Sequence, residues 1–340
     1  MTPPSLPGSG KLFLSASTGS RPQFTHLSGT YPLKLLAPVP LPSQPATVRA
    51  CYMLAYGGGL VAGDTISLHV RVGEGSQLVL LTQGSTKAFK NRIGARPLAL
   101  GHVEGGQEEN VVTRQRLLVE LASGSLLLLL PDPIQPFKSS SYIQSQRFVL
   151  PAPTNGGPFA SILVLDWYTS GRNAGLGSNS RFQEEWEFAL YASTNEIIHA
   201  GTAVPLMREK TTLRPSSDDD AQAQDSMPSL RARMRPYQIY ATLLIHGPLL
   251  APLLAHLSAR TDDPAETQFQ TARPAGLVWS FSSVERTAEV ALGVGGKAAP
   301  GGVVRVAGME TEAVKQWIEG VLVKGQVRDL VGDALWSRIF

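Results

Sequence analysis

Ile66-Ser67-Leu68-His69-Val70-Arg71-Val72 alternates without a slip, and its reading sets the fold class. Successive side chains of a strand point to opposite faces. Ile66, Leu68, Val70 and Val72 therefore share one face and Ser67, His69 and Arg71 the other, as in a half-buried strand. Further out, Trp186-Glu187-Phe188-Ala189-Leu190 repeats the alternation. Leu78 to Leu81, Leu126 to Leu130, Ile162 to Leu165, Ile239 to Ile245 and Val303 to Val306 are short apolar runs that suit strands covered on both faces. Gly and Pro turns separate these segments, so the body is expected to be all-β.

Helical spacing comes late. Leu249, Leu250, Leu253, Leu254 and Leu257 recur at helical period, as do Val314, Trp317, Ile318, Val321 and Leu322. A last amphipathic stretch carries Val327, Leu330, Val331, Ala334, Leu335 and Ile339, so two or three helices are expected in the C-terminal half. Residues 214–234 hold Asp218-Asp219-Asp220 and almost no large apolar side chain, which predicts an inserted, disordered loop. A disordered tail is expected over 1–10. Polar stretches at 91–115 and 261–274 read as further insertions, and no internal repeat of fixed period is found. The chain is thus expected to be a single domain, 1–340.

Of the 340 residues 17% are charged, and the net charge is +3, too small an excess to predict nucleic-acid binding. Arg231, Arg233 and Arg235 form the densest basic cluster and read as the end of a solvated loop. The longest apolar run, Leu126 to Leu130, is far shorter than a membrane span. Cys51 is the only cysteine, and the first residues lack a basic or apolar leader, so a reducing, cytoplasmic setting is expected.

Gly57-Gly58-Gly59-Leu60-Val61-Ala62-Gly63-Asp64 fits a loose dinucleotide fingerprint, but a strand follows it where the fingerprint needs a helix N-terminus. It reads instead as a tight connection between strands, with glycines at positive φ and Asp64 bonding the loop amides. His26, His69, His102, His199, His246 and His256 show no paired metal-ligand spacing. Asp64, Asp132, Asp166, Glu184 and Glu185 remain as carboxylate candidates. Paired acids on a β scaffold could serve glycoside hydrolysis, but that chemistry needs an aromatic-lined cleft, and aromatics are 7% of the chain.

Several segments, in order, resemble the urease accessory protein D family. They are Tyr31-Pro32-Leu33-Lys34-Leu35-Leu36, Gly57 to Asp64, Leu81-Thr82-Gln83-Gly84-Ser85-Thr86-Lys87-Ala88-Phe89, Leu130-Pro131-Asp132-Pro133-Ile134-Gln135-Pro136-Phe137, and Ser170-Gly171-Arg172 followed by Glu184-Glu185-Trp186. The resemblance implies extended, stacked, mostly antiparallel sheets of helical-β type and no enzyme activity. It also implies partnership with urease accessory protein F, the GTPase accessory protein G and apo-urease. Nickel would be a cargo in transit along an internal tunnel, with no cofactor held tightly. The sequence departs from the family where Asn173 to Gln183 separates the glycine-arginine pair from Glu184.

A cation path needs carboxylates, carbonyls and water that release the ion as readily as they take it. Asp64, Asp132 and Glu184 are the acids expected to serve such a path or an interface, with a turn-pinning role for Asp64 and Asp132 as the alternative. The competing reading of the whole chain is an all-β carbohydrate-binding or carbohydrate-cleaving protein.

Overall fold

The computed structural model describes residues 6–16, 20–90, 111–152, 158–172, 184–202, 204–215, 228–261, 276–284 and 299–340. Its body winds as a solenoid. The strand β4 (Val48–Ala55), the short β5 (Gly59–Leu60) and β6 (Thr65–Val72) make one coil. The next two coils are β7 (Gln77–Leu81), β8 (Thr86–Ala88) and β9 (Thr113–Leu121), then β10 (Leu126–Leu130), β11 (Ile134–Pro136) and β12 (Ser141–Leu150). A fourth leads from β13 (Ser161–Thr169) to β14 (Leu190–His199).

Like strands of successive coils stack in parallel. Val48, Gln77, Leu126 and Ser161 are register partners along one sheet, and Thr65, Arg114, Ile143 and Ala192 along the other. The middle strands form a small third ladder, β5 on β8 on β11. Antiparallel strands extend the edges. They are β2 (Gln23–Gly29) on β1 (Ser9–Ser15), β3 (Leu33–Leu36) on β4, β15 (Pro205–Leu213) on β14, and β16 (Ile239–His246), β18 (Gly301–Gly308) and β17 (Leu277–Ser283) beyond β13. The fold is therefore strand-rich and helical-β, but the expectation of mostly antiparallel sheets is corrected: the coils pair in parallel and only the edges are antiparallel.

Two apolar layers hold the coils together. Leu127, Leu129, Val164, Phe148 and Val119 pack between the two sheets. The outer face of the β13 sheet, with Leu126, Leu128, Leu163, Leu243 and Val304, is covered by helices Ala251–Thr261 and Thr311–Lys324 through Leu253, Leu257, Ile318 and Leu322. This is why Leu126 to Leu130 lacks alternation: both of its faces are buried. Each buried leucine contributes about 2 kcal/mol by removal from water.

The expected last helix is split into Val327–Val331 and Asp333–Trp336 at Gly332, whose φ of 81° ends a helical run. Another helix, Leu230–Met234, closes the segment expected to be a disordered loop over 214–234; of that segment 216–227 lie outside the described residues. Of the expected tail 1–10, residues 1–5 lie outside the described residues, and Ser9 and Gly10 belong instead to β1, which buries Leu12 and Leu14. Trp186 to Leu190 is not a strand before Leu190. Trp186 and Phe188 are buried, but Trp186 sits at φ 61°, where a strand cannot continue.

Candidate functional site

Residues on one face of stacked strands line up across the coils, and here the inward rows change character along the solenoid. One row reads Ile66, Gln115, Gln144, Ser193, Thr211, and the next Leu68, Leu117, Gln146, Asn195, Glu209. Opposite them, Asp166, Thr242 and Arg305 are register partners on β13, β16 and β18. These two rows are apolar in the first coil, and polar side chains enter them at Gln115 in one and at Gln146 in the other, within an interior that is otherwise apolar. Three strand spacings, about 14 Å, separate β9 from the edge strand β15.

Asp166 is the centre of this polar interior. Gln144 Nε2 donates to its Oδ1 at 3.0 Å, and Ser193 Oγ and Asn195 Nδ2 each donate to its Oδ2 at 2.6 Å. Burial raises the Asp166 pKa above its ordinary value of 3.8; the three donors oppose that rise and nearby Glu209 adds to it. Burial also pushes the Tyr142 and Tyr191 phenols well up, with the charge of Asp166 as a further cause, so both stay protonated. Tyr142 Oη lies 3.0 Å from Gln144 Oε1 and 3.1 Å from Gln115 Oε1.

Two oxygens on the neighbouring row stand out. Gln146 Oε1 and Asn195 Oδ1 are buried and have no hydrogen-bond partner among the described residues. Each such orphan costs about 1–3 kcal/mol unless water or a cation satisfies it. A narrow cavity reaches this region from the coil corners, with Thr82, Asp132, Gln115, Gln144, Gln146 and Asp166 on its wall. Its volume is about 20 Å³, enough for one or two waters.

The three acids singled out from the sequence fall in different places. Asp132 lies on the cavity wall; its Oδ2 accepts from the Gly84 amide at 2.7 Å and from Thr82 Oγ1 at 3.3 Å. Asp64 Oδ2 accepts from the Val61 amide at 2.8 Å, the loop bond expected of it, beside Gly57, Gly58 and Gly63 at positive φ. Glu184 Oε2 accepts from the Lys138 amide at 2.9 Å. Asp64 and Glu184 do not line this cavity. Asp64→Ala is expected to cost about 1 kcal/mol by loss of its loop bond, read as a lower urea midpoint with unchanged slope.

Glu185 joins Arg231 and Arg235 at 2.9 and 2.8 Å, so two of the arginines read as a solvated loop end instead clamp the β13–β14 connection. Among the described residues no group of three or more His, Cys, Asp or Glu side chains is placed to hold a metal ion. Cys51 is buried, and burial raises its thiol to about 12. Among the described residues no helix is long and apolar enough to cross a membrane.

Sequence reading missed Gln144, Gln146, Ser193, Asn195, Glu209 and Arg305. A signal was present. In Tyr142-Ile143-Gln144-Ser145-Gln146-Arg147-Phe148 and Tyr191-Ala192-Ser193-Thr194-Asn195-Glu196-Ile197 the face that is aromatic or aliphatic at both ends is polar in the middle. An all-apolar inner face needs no such interruption.

Comparison with known proteins gives consistent matches. Residues 8–335 match the family described as UreD urease accessory protein. Urease accessory protein 4 of Cryptococcus neoformans var. grubii is 43% identical over 98% of this chain and 95% of its own length. Urease accessory protein UreD of Sorangium cellulosum is 32% identical over 93% of this chain and 79% of its own. Urease accessory protein D of Arabidopsis thaliana is 27% identical over 94% and 96%.

Proposed function

The chain belongs to the UreD family of urease accessory proteins and so takes part in urease maturation rather than in catalysis of its own; from that premise we propose that it conducts nickel to apo-urease through its polar interior. In this reading it works in the cytoplasm, docked on apo-urease together with accessory protein F and the GTPase accessory protein G. The family match displaces the carbohydrate reading.

The observation that carries the proposal is the buried row of oxygen acceptors. Asp132 stands on the cavity wall, Asp166 at the centre and Glu209 on the edge strand, with neutral amide and hydroxyl groups between them. Isolated carboxylates among neutral oxygens suit a divalent cation that must keep moving, since hard oxygen donors exchange readily and a converged cage would retain the ion. The orphan oxygens of Gln146 and Asn195 support the same reading, because each is a buried acceptor left open beside Asp166, and an apolar residue in place of Gln146 would avoid that penalty. Asp64 and Glu184, away from the cavity, are assigned to loops that meet a partner.

Gln146→Leu tests this. It removes an orphan acceptor, so the fold should hold to within about 1 kcal/mol. Activation of apo-urease by Ni²⁺ in a reconstituted system should fall well below that given by Glu312→Ala, a change on an exposed helix face. Full activation with Gln146→Leu would remove the interior from the route.

A further inference from the structure

At the edge strand β15 an ion pair ties one sheet to the other. Glu209 comes from β15 of one sheet and Arg305 from β18 of the other. Arg305 Nη2 lies 2.6 Å from Glu209 Oε2 and Nε 3.3 Å from Oε1, a bidentate contact. Glu209, on the edge strand β15, is the last member of the Gln146–Asn195 row, and Arg305 reaches it from the facing Asp166–Thr242 row, which runs on to Ser280 of β17, so the pair closes the first row. The Arg305 side chain is 51% exposed and that of Glu209 18%, so the pair straddles the boundary between interior and solvent.

Resting on the conduit reading above, we propose that Arg305 is a resident cation gating the end of the interior row, and that a divalent cation passes by displacing it from Glu209. The carboxylate keeps a counter-cation at each step, though the divalent ion leaves one positive charge over for water to screen: the guanidinium swings into water as the metal ion takes the carboxylate, and returns when the ion leaves. Its half-exposed position makes the swing inexpensive, since the charge is already partly solvated. Without Arg305 the Glu209 carboxylate would stand uncompensated at the end of its row and hold a divalent ion more firmly, since an unpaired charge favours an opposite one. Arg305 therefore keeps the exit closed at rest and lowers the affinity of the site enough to release cargo.

The alternative role is a staple between the sheet edges, and the two separate in a titration of the full-length chain with Ni²⁺ alone. Arg305→Gln should bind Ni²⁺ about tenfold or more tighter than the parent, the scale on which one neighbouring charge shifts an ionic equilibrium. Adding Glu209→Gln should cancel the gain. Unchanged affinity in Arg305→Gln, with or without a lower melting temperature, overturns the gate, and so does a gain that survives Glu209→Gln. Should Arg305→Gln not fold, Arg305→Lys decides, because it keeps one positive charge but loses the two-point grip on Glu209: tighter Ni²⁺ binding upholds the gate and parental binding overturns it. Failure of the conduit reading looks different, since Asp166→Asn would then leave urease activation intact whatever Ni²⁺ does at Glu209.

Discussion

Asp166→Asn is expected to lower Ni²⁺-dependent activation of apo-urease about tenfold or more, the scale on which changes around a metal ligand act, while the chain still folds. Asparagine keeps the volume and one acceptor oxygen, and the amides of Gln144 and Asn195 can reorient to meet its NH₂. Asp166→Ala removes every acceptor and leaves three buried donors facing a cavity. That change should cost about 3 kcal/mol or more and reduce activation through misfolding. The pair of variants thus separates transport from stability. The pH profile adds a second reading. The folded pKa of Asp166 is raised above 3.8, so folding favours its protonated form. Its contribution to stability is fully present below 3.8 and is lost as pH rises through the raised value. Asp166→Asn should lack that decline, measured as denaturation midpoints against pH. An Asn variant that activates urease like the parent would show that the carboxylate is structural.

The second large effect concerns acid. His246, at the end of β16, is held down to about 4 from 6.5, chiefly by burial and then by neighbouring His199, whose ring centroid is 6.5 Å away. The folded chain keeps this imidazole neutral, and the unfolded chain lets it take a proton. Stability is therefore complete above pH 6.5 and is lost as pH falls from 6.5 through about 4. The full loss is about 3 kcal/mol. His246→Leu fills a similar space without a titrating group and should flatten that part of the curve. The check is urea denaturation at a series of pH values between 7 and 4. An equal acid loss in the variant would assign the effect to other groups.

How much of this could be read from the residues differs between fold and site. Thr65–Val72 was legible because one of its faces meets the inter-sheet core and the other meets solvent, which forces alternation. Leu126–Leu130 was legible as a strand by its length and its closing proline, even though burial on both faces erased the period. Trp186 to Leu190 misled because alternation reports burial, and Trp186 and Phe188 are buried from an irregular segment. The direction of pairing was out of reach. A hairpin announces itself by its turn, whereas parallel coils pair residues separated by loops of differing length. Val48, Gln77, Leu126 and Ser161 are partners at uneven intervals, so no fixed repeat shows in the sequence.

Composition and motif order thus determined the strand-rich body, the late helices and the family. The tertiary structure alone decided which polar residues share one interior. Gln144, Asn195, Glu209 and Arg305 come from four strands, and each by itself looks like a residue bound for solvent. Register between stacked coils turns them toward Asp166 and toward each other, and register is a property of pairing between distant segments that no local pattern encodes.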